Sequence, residues 1–406
     1  MLQTGRLEYS DWIRSLEGVA LPAALVDLDA LERNADRIAA PVRASGKRLR
    51  LATKSLRCVR VASHLRERLE DIYGGLMCLT VAEAAFLADR GFDDLLIAYP
   101  TMQRADLVAL AALTRAGRTV RLVVDSAEHV RAMSDVSHAE GVTLRAVIDI
   151  DMSYRPFGTA THLGVRRSPI RTGAEAIAIA REAQRAGGVI VDALMGYEAQ
   201  VAGMGEASPF TPLTNPVKAW IKRRSIPDVA SRRARIASEL RAAGVNVALF
   251  NGGGTGSLAT TSNEDVVTEV TAGSGFFCPH LFDYYAGTRL EPAAFFALQI
   301  VRFPAPGIVT CQGGGYVASG EAGRDRLPVP HLPRGLSLLG VEGAGETQTP
   351  LRWPASAGEA RLGAPVIFRH AKAGELMERF NEIVLVRGGR VVDRVPTYRG
   401  EGFAFL

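Results

Sequence analysis

Cysteine is scarce in this chain: Cys58, Cys78, Cys278 and Cys311 are scattered over 406 residues. They show neither the close spacing of a metal site nor a disulfide framework, which suits a reducing cytoplasm. No run of about eighteen apolar residues occurs, so no membrane-spanning helix is expected. The first sixteen residues carry Arg6, Glu8, Asp11 and Arg14 and lack the apolar centre of a secretory leader. Neither sign of charge is in large excess. The 48 Lys and Arg residues against 43 Asp and Glu leave +5, spread along the chain. Such a balance suits an anionic small molecule and gives no footprint for nucleic acid. What is present is ordinary for a globular protein: 47% hydrophobic and 22% charged residues, with length for roughly two domains and ample core.

From about residue 20 to 285, short apolar runs alternate with helical stretches. The runs lie at 23–27, 50–53, 74–78, 95–98, 120–124, 144–150, 191–195, 247–250 and 268–271. Between them are Ala-, Arg-, Glu- and Leu-rich stretches such as 81–90, 105–116, 173–186 and 231–243. Strands alternating with helices predict parallel βα units. Eight or nine of them predict an α/β fold with a closed (β/α)8 TIM-type barrel over 20–285, an open doubly wound sheet being the alternative. Residues 203–228 break the rhythm with several prolines and the basic run Lys222-Arg223-Arg224, and read as a loop insertion with a solvated charged face. Beyond 286, runs at 295–303, 307–312, 364–368, 383–386 and 390–395 are separated by Gly and Pro with little helical period. They predict a second, mostly antiparallel β domain over 286–406, with residues 1–19 packing on either domain.

In such a barrel the reactive groups come from the C-terminal ends of strands. Lys54 ends the run Arg50-Leu51-Ala52-Thr53. It is either a solvated cation or an amine against apolar walls, where desolvation lowers its pKa and makes it nucleophilic. Asn251-Gly252-Gly253-Gly254-Thr255-Gly256-Ser257 follows the run at 247–250, and Ala272-Gly273-Ser274-Gly275 follows that at 268–271. Each alone is readable as a turn; two on neighbouring strands suit a phosphate cradle of backbone N–H groups and hydroxyls. Arg155, after the acidic strand end Asp149-Ile150-Asp151, is a surface ion pair or a site cation. Tyr197, beside Glu198 at another strand end, is core packing or a site residue. A nucleophilic amine, a phosphate nest and polar groups around one barrel mouth together suit pyridoxal 5'-phosphate held by a lysine.

Further motifs are Thr80-Val81-Ala82-Glu83 at a helix start, Asp151-Met152-Ser153-Tyr154-Arg155 and, in the second domain, Gly340 to Glu346, Gln348 to Leu351 and the His370 region. On these the chain resembles the alanine-racemase-like group of pyridoxal-phosphate enzymes (fold type III), and within it the D-threonine aldolase and D-serine dehydratase-like family. The matches run in the family's order over roughly residues 20–400. The resemblance implies Lys54 as the Schiff-base lysine, phosphate contacts from Gly253, Gly254, Thr255, Gly273 and Ser274, and ring contacts from Arg155 and Tyr197. It implies a lyase that cleaves a small β-hydroxy D-amino acid by retro-aldol reaction to glycine and an aldehyde. Deamination to a 2-oxo acid, as by D-serine dehydratase, and racemisation are the alternatives. A homodimer is implied as well.

One departure changes the expected chemistry. Enzymes of the resembled family place a divalent metal beside the cofactor through a His and, two residues on, an Asp or Cys. Here Arg369-His370-Ala371-Lys372 puts Lys372 at the second position, and an ammonium has no lone pair for a metal. The expectation is a metal-free variant in which Lys372 attracts the substrate's β-oxygen and His370 acts as acid/base or orients the hydroxyl. A metal held by His370 with Glu375 or Glu378, and a purely structural His370, are the alternatives. Without a Lewis acid, expulsion of hydroxide is disfavoured, which tilts the expected outcome to the aldolase.

Overall fold

The computed structural model describes residues 7–405 apart from Thr288 and Ala322. After β1 (Ala23–Asp27) the helix Leu28–Ala44, N-capped by the Asp27 side chain on the Ala30 amide, leads to β2 (Arg48–Ala52). From there β3 (Tyr73–Cys78), β4 (Leu95–Ile97), β5 (Val120–Val124), β6 (Leu144–Asp149), β7 (Val189–Gly196), β8 (Leu249–Gly252) and β9 (Glu269–Ala272) follow in parallel. The register Arg48 to Glu269 through Leu51 to Ala272 joins β9 back to β2 and closes an eight-stranded barrel. The expected barrel is therefore present, with helices over its outside.

Its interior is layered. Near the N-terminal ends Arg50, whose side chain has no exposure, is bound by both carboxylate oxygens of Glu269 at 2.6 and 2.8 Å and by Asp94 at 2.8 Å. Arg121 and Arg145 share Asp192 beside it. Above these ion pairs Leu96, Ala98, Val123, Val147, Ala193 and Met195 form an apolar plug. Side chains at the C-terminal ends thus stand on a packed floor, as barrel sites do.

The second sheet contains β10 (Ala294–Ala305), β11 (Ile308–Gln312), β12 (Val329–Leu332), β13 (Ser337–Leu338), β14 (Gln348–Arg352), β15 (Pro365–Arg369), β16 (Glu382–Arg387) and β17 (Arg390–Pro396). Its order is β13-β14-β11-β10-β1-β16-β17, with β15 paired to β10 and β12. All its recorded pairings are antiparallel except one, β1 with β16. The run at 23–27 is thus not a barrel strand, contrary to its rhythm with the helix that follows. Every residue of β1 is buried, so it shows no alternation that would assign it to either sheet. Trp12 of the helix Tyr9–Ser15 packs edge-on against Phe295 at 5.4 Å, on this sheet. Residues 1–6, part of the stretch expected to pack on one domain or the other, lie outside the described residues.

The loop expected over 203–228 is mostly helix. Asn215–Ala242 forms one 28-residue helix. Pro216 falls in its first turn, where the missing N–H costs nothing, and Pro227 is accommodated inside. The residues buried at helical spacing, Ile221, Ser225, Val229, Arg232, Arg233, Ile236 and Leu240, include two arginines, which hid the period. Of the basic run Arg223 and Arg224 are exposed, whereas Lys222 is half-buried and bonded to Glu206 at 3.2 Å. No helix among the described residues is long and apolar enough to cross a membrane.

Candidate active site

A cavity of about 1150 Å³ opens at the C-terminal ends of the barrel strands, with residues of the second domain, among them Arg326 and Lys372, on one wall. Lys54 enters it from the turn Thr53–Ser55 that follows β2. Thr53 Oγ1 donates to the Met77 carbonyl at 2.9 Å and Arg57 Nε donates to the Lys54 carbonyl at 3.2 Å, which fix the turn. Lys54 Nζ lies 3.1 Å from the hydroxyl of Tyr99, just beyond β4. The Arg167 guanidinium, from the loop after β6, stacks 5.6 Å over the Tyr99 ring and 5.3 Å over that of Tyr197. Burial pushes the Tyr197 phenol up to about 12. Tyr99 goes the other way. Burial opposes its ionisation, but Lys54 and Arg167 outweigh it and bring the phenol below its ordinary range.

The two glycine loops close the far side. Gly253 has φ +80°, a left-handed conformation. A Cβ on Gly273 would sit 2.7 Å from Ser55 Oγ and 2.8 Å from the Ala52 Cβ, so only a bare backbone fits between the Lys54 turn and this loop. Beneath them Glu198 is fully enclosed. It accepts from Ser257 Oγ and Thr261 Oγ1, each at 2.6 Å, from the Gly253 amide at 3.2 Å, and from Arg233. The Gly254 amide donates to Ser257 Oγ at 3.1 Å. The amides of Gly253 and Gly254 are thereby committed inside the loop. Those of Thr255 and Gly256, and of Ser274 on the next loop, open short helical turns where N–H groups have no partner within the turn. The resulting cradle fits a phosphate, and the nearby amine fits an aldehyde-bearing ring.

Of the residues singled out from the sequence, Lys54, Tyr197, Gly253, Gly254, Thr255, Gly273, Ser274 and Lys372 come together around this cavity. Arg155 and His370 do not line it. Arg155 is tied to Asp151 Oδ2 at 2.7 Å and Ser153 Oγ at 3.1 Å, and Arg171 reaches the same carboxylate. His370 is buried beneath its neighbours, and neither ring nitrogen has a hydrogen-bond partner of good geometry among the described residues. Burial and the adjacent Arg369 push its pKa down to about 3, so the ring is neutral at physiological pH. Lys372 donates to the Ser319 carbonyl at 2.7 Å, and burial, with Arg326 nearby, lowers its pKa. These residues do not fit a divalent metal: the imidazole is buried and does not line the cavity, the ammonium offers no lone pair, and no group of three His, Cys, Asp or Glu able to hold one occurs among the described residues.

Tyr99 and Arg167 were missed. Tyr99 follows a strand end, the rule that selected Tyr197, and applying it to the run at 95–98 would have found it. Arg167 lies in an irregular loop with no period to mark it.

A family model for the alanine racemase N-terminal domain matches residues 26–278. The chain belongs to that family. It is 28% identical over 264 residues to a 3-hydroxy-D-aspartate aldolase of Paracoccus denitrificans, covering 64% of this chain and 60% of that protein. To a D-threo-3-hydroxyaspartate dehydratase of Delftia sp. (strain HT23) it is 29% identical over 256 residues, 62% of this chain and 60% of the other. The aligned stretch thus spans about 60% of the length of these curated relatives. The crystal structure of D-threonine aldolase from Filomicrobium marinum superposes with a TM-score of 0.78 over 96% of this chain and 98% of that one, at 23% identity, a likeness of fold.

Proposed function

We propose that this protein is a pyridoxal-phosphate-dependent lyase that cleaves a β-hydroxy D-amino acid to glycine and an aldehyde. The observation that carries the reading is the juxtaposition of the Lys54 amine with two glycine loops on adjacent barrel strands, across one cavity. Relatives named as an aldolase and a dehydratase of hydroxylated D-aspartates support the substrate class. Lys54 would hold the cofactor, the Thr255, Gly256 and Ser274 amides its phosphate, and the Tyr197 and Arg167 wall its ring. When bound, the cofactor supplies an electron sink for the bond broken at the amino acid's Cα. The residues do the rest: Lys372 attracts the oxygen on Cβ, and the second-domain wall keeps water from the reacting carbon. A homodimer in a reducing compartment completes the reading; Cys58, Cys78, Cys278 and Cys311 are all buried.

The deciding assay is incubation of the purified, cofactor-loaded protein with D-threonine, D-serine and 3-hydroxy-D-aspartate, with glycine and 2-oxo acid measured separately. Glycine with an aldehyde is expected; a 2-oxo acid as sole product would overturn the aldolase assignment.

We also propose that catalysis needs no divalent metal, because Lys372 occupies the wall and His370 is withdrawn from it. Turnover is expected to stay within about twofold after exhaustive chelation, whereas Lys372→Met lowers kcat/KM by about tenfold to a hundredfold, the scale of one lost charged contact. A chelated protein that loses most of its activity and recovers it with manganese or zinc refutes this.

A further inference from the structure

Retro-aldol cleavage needs a group that takes the proton of the β-hydroxyl, and His370 does not line the cavity. Four tyrosines do: Tyr99, Tyr197, Tyr284 and Tyr285. Burial raises the last three phenols. Tyr99 alone of the four has its hydroxyl recorded against a lysine, 3.1 Å from Lys54 Nζ, with a guanidinium over its ring. The groups that face it are Lys54 on the turn after β2, Arg167 on the loop after β6, Asp149 at the end of β6 and Tyr197 beyond β7. Two of these are cationic and favour the phenolate. Asp149 opposes them, but burial pushes that carboxyl to about 7, so its charge is partial near neutrality. A substrate whose amino nitrogen displaced Lys54 from the cofactor would bring its Cα and Cβ near the position of Nζ, and the Tyr99 hydroxyl lies 3.1 Å from that nitrogen.

We propose that Tyr99 is the catalytic residue that accepts the proton of the substrate's β-hydroxyl, and that Arg167 is a positioning residue that holds its oxygen ready as the acceptor. This rests on the proposed aldolase reaction and names its base. The O–H bond breaks and its proton goes to the Tyr99 oxygen, while its electron pair forms the aldehyde C=O. The Cα–Cβ bond breaks and its pair stays with Cα. The proton then passes from Tyr99 through Lys54 to Cα, so glycine and aldehyde together account for every atom of the substrate.

The test compares holoenzymes of the wild type, Y99F, R167M and R167K. Y99F should lose about 10² to 10⁴ in kcat, the range of a general base, with KM within about threefold. The acceptor works deprotonated, so kcat rises with pH through the phenol's pKa. R167M removes a cation that lowers that pKa, so its acid limb should move to higher pH, and R167K should restore it. An independent readout is ultraviolet titration of the apoprotein: one tyrosine ionises before the rest, and this early step is absent in Y99F. A Y99F enzyme with kcat within about threefold of wild type, or an early step that persists in it, overturns the assignment of Tyr99 alone. A wild type that cleaves no β-hydroxy D-amino acid removes the proposed function, and this inference with it.

Discussion

Replacing Lys54 with alanine is expected to leave less than about one part in 10⁴ of the wild-type turnover, the scale seen when a covalent group is deleted. Added pyridoxal phosphate should also no longer become fixed to the chain on borohydride treatment. The loss should be chemical and not structural. Lys54 lies on the cavity surface, and among the described residues its side chain hydrogen-bonds only to Tyr99, so stability should change by no more than about 0.5 kcal/mol. Lys54→Arg should fail equally, because a guanidinium stays protonated and cannot act as a nucleophile. If Lys54→Ala keeps turnover within tenfold, the assignment of this amine is wrong.

The second large effect is expected at Glu198, which is buried and does not line the cavity. Its carboxylate joins β7 to the glycine loop after β8 and neutralises Arg233, whose side chain has no exposure. Glu198→Ala strips a buried cation of one of its two acidic partners, Glu264 being the other. The cost is about 3–5 kcal/mol, the range for a broken buried pair. Denaturant unfolding should show it, together with a weaker grip on pyridoxal phosphate as the loop loses its anchor. Burial raises the Glu198 pKa, but Arg233 and the hydroxyls of Ser257 and Thr261 outweigh it, so the folded value lies below that of a free glutamate, about 4.3. Its contribution is therefore full at neutral pH and disappears as the solution is acidified through the depressed value. Wild type and Glu198→Ala should converge in stability toward acid. An alanine variant that unfolds at the wild-type denaturant concentration would contradict this account.

What the sequence made legible followed from periodicity and from the strand-end rule. Alternating apolar runs and helices gave the barrel, and glycine loops at 251–257 and 272–275 were recognisable because consecutive glycines are costly unless a close approach requires them. Three things were hidden. The run at 23–27 is apolar on both faces, so nothing local says which sheet takes it. The helix Asn215–Ala242 buries Arg232 and Arg233, which donate to backbone carbonyls and to the Glu264 carboxylate and break the apolar stripe. Arg155 and Arg167 stand twelve residues apart in one irregular segment. Only tertiary contact separates the one bound to Asp151 from the one stacked between two phenols.

The place of β1 has a consequence for dissecting the molecule. Its strand lies between β10 and β16, so the later sheet is completed by a piece of chain that precedes the barrel. No single cut can release two self-sufficient halves. Severing the chain near residue 286 would leave the barrel fragment trailing a strand with both edges bare, and the other fragment with a slot where that strand belongs. Recombining the two fragments, rather than expressing either alone, is the route by which a split version would recover its native sheet.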